Sequence, residues 1–272
     1  MSALTLRLRD APPVPIDLSG LTPDALAGAT PATIARRPLP GQRRLKVGDL
    51  FEIRGAVGAT LVFEDLTAAC HRLGAHLAGG RIEASGTVGA ELGRGLQAGE
   101  IRLEGDAGEA VGAGMRGGHI TVLGHAGARV GGTMAGATHG MNGGTIHIAG
   151  DAGPCAGERM RRGLLLIGGA AGSTAGDRML AGTVIVGGAC GADPGLGNRR
   201  GSLLLCRPPA AMTATYNDCG SFELAVMALL TAHVATLDRK LARRLEPMRR
   251  ARRWCGDLAH GGKGEILLAA AD

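Results

Sequence analysis

Residues 99–117 read GEIRLEGDAGEAVGAGMRG, and residues 118–136 read GHITVLGHAGARVGGTMAG. Laid one over the other, they place glycine at offsets 0, 6, 9 and 13 of a 19-residue frame. The frame also fits GRIEASGTVGAELGRGLQA from 80. After seven inserted residues it fits GTIHIAGDAGPCAGERMRR from 144, GLLLIGGAAGSTAGDRMLA from 163 and GTVIVGGACGADPGLGNRR from 182. A half-repeat, GSLLLC, begins at 201. Offsets 2 and 4 are apolar or small in every copy, from Ile82 and Ala84 to Leu203 and Leu205, the alternation of a strand with one buried face. Offset 16 is Leu96, Met115, Met134, Met160 and Met179, flexible fillers for an irregular core, until Asn198 breaks the column.

One such unit cannot bury its own strand, but units stacked about 4.8 Å apart make a continuous core. The frame therefore predicts an all-β solenoid, a right-handed parallel β-helix of about seven coils. Left-handed hexapeptide solenoids do not fit, since 19 is not a multiple of six. Calcium-binding nonapeptide solenoids need an Asp in every turn, whereas Asp106 and Asp151 mark only two.

Working outward, residues 61–79 keep Gly74 and Leu77 in frame and read as a weaker leading coil within a β-helix spanning 61–206. Residues 1–60 hold an early strand, LTLRLR, lead-in strands, and a helix start at Thr22-Pro23-Asp24; this arm is expected to pack across the first coils. After Pro208-Pro209, in the segment 207–272, the period changes to 3.6. Phe222, Val226, Leu229, Leu230, Val234, Leu237, Leu241 and Leu245 predict one helix stripe. Outward strand positions turn from charged in early coils (Arg81, Glu83, Glu100, Arg102) to apolar in late ones (Leu164, Leu166, Ile185, Leu204), so the helix is expected to cover the late face.

Composition limits the function classes. The chain has 272 residues, 48 glycines, 2% aromatics and a net charge of +6. A basic chain nearly free of aromatics lacks the stacking surfaces of single-strand nucleic-acid readers. No C-x-x-C pair occurs among the six cysteines, and no run is long and apolar enough for a membrane span, so the chain reads as cytoplasmic with reduced thiols. There is no HExxH among the eight histidines, and His119 and His147, at outward offsets, are expected to face solvent. The tail GGKGEIL at 261–267 lacks phosphate-loop spacing and reads as a turn into a final strand. Cys219 beside Asp218 has no histidine base nearby and reads as an inert thiol. No catalytic residue and no metal ligand is assigned to this chain.

The G-x-x-G-x-x-x-G spacing at offsets 6, 9 and 13, with the segments IDLSGLTPDAL, VGDLFEIRG and CGDLAHGGKGEILL, resembles a family. It is the one shared by the C-terminal β-helix of glutamate synthase and the C subunit of formylmethanofuran dehydrogenase, and both ends of the chain are similar to that C subunit. The resemblance implies a scaffold subunit that binds no cofactor alone, in a complex with formyltransferase and amidohydrolase-like subunits. Such a bacterial complex passes a formyl group from tetrahydromethanopterin to methylofuran, a furan carrier with a glutamate-rich tail, and releases formate; its hydrolase subunit holds a metal. Three alternatives stand beside it: the C subunit of a molybdenum or tungsten dehydrogenase, a glutamate synthase-type subunit, and a stand-alone enzyme.

Two candidate surfaces follow. Arginines gather at offsets 14–18 (Arg94, Arg116, Arg159, Arg161, Arg162, Arg178, Arg199, Arg200) and stacking should align them into a stripe suited to an anionic ligand such as the carrier's tail. A second basic cluster (Lys240, Arg243, Arg244, Arg249, Arg250, Arg252, Arg253) follows the helix. The insertion near 132–142, GTMAGATHGMN, should bulge from the wall and offer Met134, His139, Met141 and Asn142 to a neighbouring subunit.

Overall fold

The repeat unit becomes a rung. In the computed structural model, which describes residues 3–270, seven strands pair in parallel in chain order: Arg81–Gly86, Glu100–Glu104, His119–Val122, Asn142–Ile148, Arg162–Ile167, Thr183–Val186 and Ser202–Leu205. They form the middle of a 13-stranded sheet. The register matches each offset with itself, so Ile82, Ile101, Ile120, Ile146, Leu165, Val184 and Leu203 form one fully buried file. Burying each such side chain is worth about 1.5–3 kcal/mol. A second line of parallel bridges runs down another wall through Val88, Ala107, Ala126, Ala152, Ala171, Cys190 and Pro209, all at offset 8. Two parallel ladders closing around one core give a β-helix-like fold. The glycine at offset 13 shows why the frame is strict: at Gly112, with φ +64°, a Cβ would lie 2.4 Å from Ile146 Cδ1.

Both ends of the sheet are finished by other parts of the chain. Thr60–Leu66 pairs with Arg81–Gly86 as the leading rung, and the N-terminal strand Leu4–Leu8 adds to it in parallel. Rather than lying across the first coils, the arm is thus woven into the sheet, with Phe51–Arg54 antiparallel at its outer edge. Helix α1 (Pro31–Ala35) and helix α2 (Val47–Leu50) lie between these strands. The helix expected at Thr22 does not form. Thr22 Oγ1 accepts from Ala25 N at 3.3 Å, but only a turn follows, and Gly28 at φ +74° redirects the chain. The same Thr-Pro pair eight residues on, Thr30-Pro31, caps α1 instead.

At the other end, the tail strand Gly264–Ala269 pairs in parallel with Ser202–Leu205, as its sequence led us to expect of a final strand. Arg250–Gly256 and Asn217–Glu223 then add antiparallel. The single expected helix is two: α3 (Val226–Leu237) and α4 (Arg239–Leu245), separated by extended Asp238. They do cover the late face. Leu166, Ile185 and Leu204 are buried in one cluster with Met227, Val234, Leu241, Leu245 and Met248. The expected stripe is corrected at its start, because Phe222 sits in a strand and Phe222, Val226 and Leu229 are exposed. The positions that bury are Met227, Val234 and Leu241, since the helix begins only at Val226 and restarts after Asp238.

The insertion also shifts. Gly131 and Gly132 stay in frame, residues 133–139 leave it, and Gly140 rejoins by donating to Arg159 O at 2.9 Å. Met141, not Met134, therefore fills offset 16 and is fully buried in the core. It is not available as a partner contact.

Candidate functional site

The coil corner at offsets 14–18 is where the arginines gather, and its backbone explains how they are presented. Offset 15 is left-handed in every full coil except the one that carries the insertion. Gly95, Gly114 and Gly197 hold it at φ +63°, +63° and +71°, but Arg159 and Arg178 hold it at φ +50° and +51°. Each is locked there by an N–H bond to the next turn, Arg159 N to Asp177 O at 2.8 Å and Arg178 N to Leu196 O at 2.7 Å. A left-handed arginine costs about 1–3 kcal/mol relative to an unstrained residue.

These two, with Arg199, line a groove of about 270 Å³. Its other walls are Thr138 and His139 from the insertion, Leu180, Gly197, and His260 from the tail. Sequence reasoning treated the stripe and the insertion as separate surfaces, and the fold brings them together. Arg178 is anchored through Nε to the buried Asp177, 3.0 Å from Oδ2. His260 is placed by Asp257, whose Oδ2 lies 3.5 Å from His260 Nδ1 and accepts from Gly197 N at 3.0 Å. Burial pushes the Asp257 carboxyl up, but the Thr215 hydroxyl, the Gly197 and Ala259 N–H groups and the nearby His260 together outweigh it and hold it below the usual carboxylate range. Three arginine forks in one small groove suit a ligand with several carboxylates.

The remaining expected residues lie apart. Arg116, Arg161, Arg162 and Arg200 are exposed and do not line the groove, and exposed Asn142 faces Arg162 in the strand register. Arg94 is tied to Glu91 at 3.1 Å. Met134 lines a different cleft, of about 910 Å³, between the insertion and the N-terminal arm. Much of the second basic cluster is structural: Arg244 donates to Gly168 O and Gly187 O at 2.7 and 3.1 Å, Arg253 pairs with Glu265 at 2.9 Å, and Arg252 pairs with Asp218.

One expectation about histidine is overturned. His147 is buried beneath the helices, with Nε2 3.1 Å from Asp238 Oδ2. Asp238 also caps α4, its Oδ1 accepting from Lys240 N and Leu241 N. An outward offset does not mean solvent once a distant helix covers it. Burial also lowers the pKa of the neighbouring His119. Among the described residues, no group of three or more His, Cys, Asp or Glu could hold a metal ion. No helix among them is long and apolar enough to cross a membrane.

The strain at offset 15 gives a direct test. Arg159→Gly is expected to raise stability by about 1 kcal/mol, seen as a thermal midpoint higher by a few degrees. A lower midpoint would show that the arginine is itself a packing element.

No protein-family model matches the chain. Among curated proteins, it is 40% identical over 89 residues to the Fhc C subunit of the formyltransferase/hydrolase complex of Methylorubrum extorquens; that alignment spans 32% of this chain and about a third of the relative. Among solved structures, a chain in the X-ray structure of the formyltransferase/hydrolase complex (FhcABCD) from the same organism, in complex with methylofuran, matches with a TM-score of 0.93. Identity there is 40%, over 98% of this chain and 100% of that one. The chain belongs to the C-subunit family of formyltransferase/hydrolase complexes. For this member of the C-subunit family, the correspondence extends past the repeat, since a match over 98% of the chain reaches well beyond the coils.

Proposed function

We propose that the chain is the non-catalytic scaffold subunit of a formyltransferase/hydrolase complex. The complex moves a formyl group from formyl-tetrahydromethanopterin to methylofuran and releases formate. Its partners are a formyltransferase and an amidohydrolase-like subunit, the second holding a metal, and it works in the cytoplasm. What carries this reading is the whole-length likeness to a chain of a complex that holds methylofuran. In this reading residues 61–206 form a right-handed β-helix of about seven coils, the hand that about 98% of parallel crossovers take. Residues 1–60 and 207–272 finish its two ends. Purification of the tagged chain from its native host tests the assignment. Formyltransferase and amidohydrolase-like partners are the expected result, whereas molybdopterin and iron–sulfur subunits would overturn it in favour of a dehydrogenase.

Within that complex, the groove of Arg159, Arg178 and Arg199 guides the glutamate-rich tail of the carrier. Replacing all three by Ser is expected to lower carrier content by at least about tenfold, from losing charge-assisted bonds of roughly 1.5–3 kcal/mol each. The loss should deepen with added salt while subunit assembly is unchanged. Arg161→Ser with Arg162→Ser, outside the groove, should have the smaller effect. Equal carrier content in the triple variant and the parent would refute the groove's role.

A further inference from the structure

Cys219 and Cys255 lie on neighbouring antiparallel strands, Asn217–Glu223 and Arg250–Gly256. The strand register pairs Asn217 with Cys255 and then breaks between Asp218 and Ser221. Cys219 lies in that break, and its Sγ turns back to donate to the Asn217 carbonyl at 3.6 Å, opposite Cys255. Cys219 therefore stands two residues along from the residue paired with Cys255, on the adjoining strand. Both thiols are free, Cys219 exposed and Cys255 half-buried, at an outer edge of the sheet. The sequence gives no hint of this pair, because 35 residues and two helices separate the cysteines.

We propose that Cys219 and Cys255 form a reversible intrachain disulfide, a modification site for peroxides. Exposed Cys219 is the first to react. Its thiolate attacks one oxygen of hydrogen peroxide, the O–O bond breaks, and the products are a sulfenic acid and, with the thiol's proton, water. The Cys255 sulfur then attacks the Cys219 sulfur, forming the S–S bond and expelling the sulfenic oxygen as a second water. Two thiols lose two electrons, and one peroxide becomes two waters. Burial and then the neighbouring Cys219 push the Cys255 thiol up, while Arg253 draws it back, which suits it to the second, resolving step. A thiol reductant reverses the reaction.

The bond would close a loop that contains all of α3 and α4, the elements that cover Leu166, Ile185 and Leu204. Oxidation therefore staples the helical cover to the sheet. Closing so long a loop restricts the unfolded chain and favours the folded one.

The test treats the full chain, purified in its native assembly, with hydrogen peroxide and digests it without reduction. A Cys219–Cys255 linked peptide is expected, lost on adding a reductant. The single tryptophan, Trp254, directly precedes Cys255 and should lose fluorescence on oxidation and regain it on reduction. The thermal midpoint should rise by several degrees on oxidation in the parent and stay fixed in Cys219→Ser and in Cys255→Ser. Cys219 converted to a sulfinic acid beside a free Cys255, a disulfide between two chains, or both thiols left unmodified would each overturn the proposal.

Discussion

Replacing Leu166 by glutamate drives the chain out of the soluble fraction. Leu166 is fully buried between the sheet and the two C-terminal helices, in a cluster with Ile185, Leu204, Val234 and Leu241. Losing its burial costs about 2–3 kcal/mol. Placing an unpaired carboxylate there adds several kcal/mol more, so the total exceeds about 5 kcal/mol. Whole domains are stable by only about 5–15 kcal/mol. Soluble yield and thermal unfolding measure the effect, with Leu166→Met as the control, expected to cost under about 1.5 kcal/mol. Should Leu166→Glu stay soluble with an unchanged midpoint and lose only a bound partner, the helices would not be its cover.

Gly105→Ala is the second large effect. At φ +147° a Cβ on residue 105 would lie 1.9 Å from the carbonyl oxygen of Gly86 in the preceding turn. Neither atom belongs to a flexible side chain, so the two turns must part and the ladder between them must break. We expect a loss of more than about 4 kcal/mol, the range reserved for severe backbone disruption. Gly136, in the insertion, makes the matched comparison. Its φ is +78° but a Cβ there meets nothing within 4 Å, so Gly136→Ala costs only the strain of a left-handed residue, about 1–2 kcal/mol. Denaturant midpoints compare the two, and equal losses would mean that the turns are not in backbone contact at Gly105.

The same contrast explains how much was legible. Glycine at offset 13 is visible in sequence because a side chain there would collide with the strand file, as Gly112 does with Ile146. The neighbouring left-handed column at offset 11 is not visible. Glu91, Ala110, Arg129, Cys155, Thr174 and Asp193 occupy it at φ between +55° and +63°, and their chemistry has nothing in common. Local pattern also misplaced the insertion by counting onward from Gly118, because Met134 and Met141 are equally good fillers and only closure of the ladder at Gly140 decides between them. The stripe of arginines could be counted, but the groove could not. It needs Thr138 and His139 from the insertion and His260 from the tail, which meet only after folding. His147 failed for the same reason, since its partner Asp238 comes from a helix pair 91 residues away.

The antiparallel strands at both ends of the sheet have a consequence for self-assembly. A stack of parallel rungs is a template, and one that ended on a bare parallel rung would invite another molecule to add in register and grow as a fibre. Here Phe51–Arg54 closes one end by running against the rungs, and the other ends on Asn217–Glu223, whose irregular register between Asp218 and Ser221 breaks the edge. They act as chain terminators. The length of the body is thereby set by the gene and not by concentration.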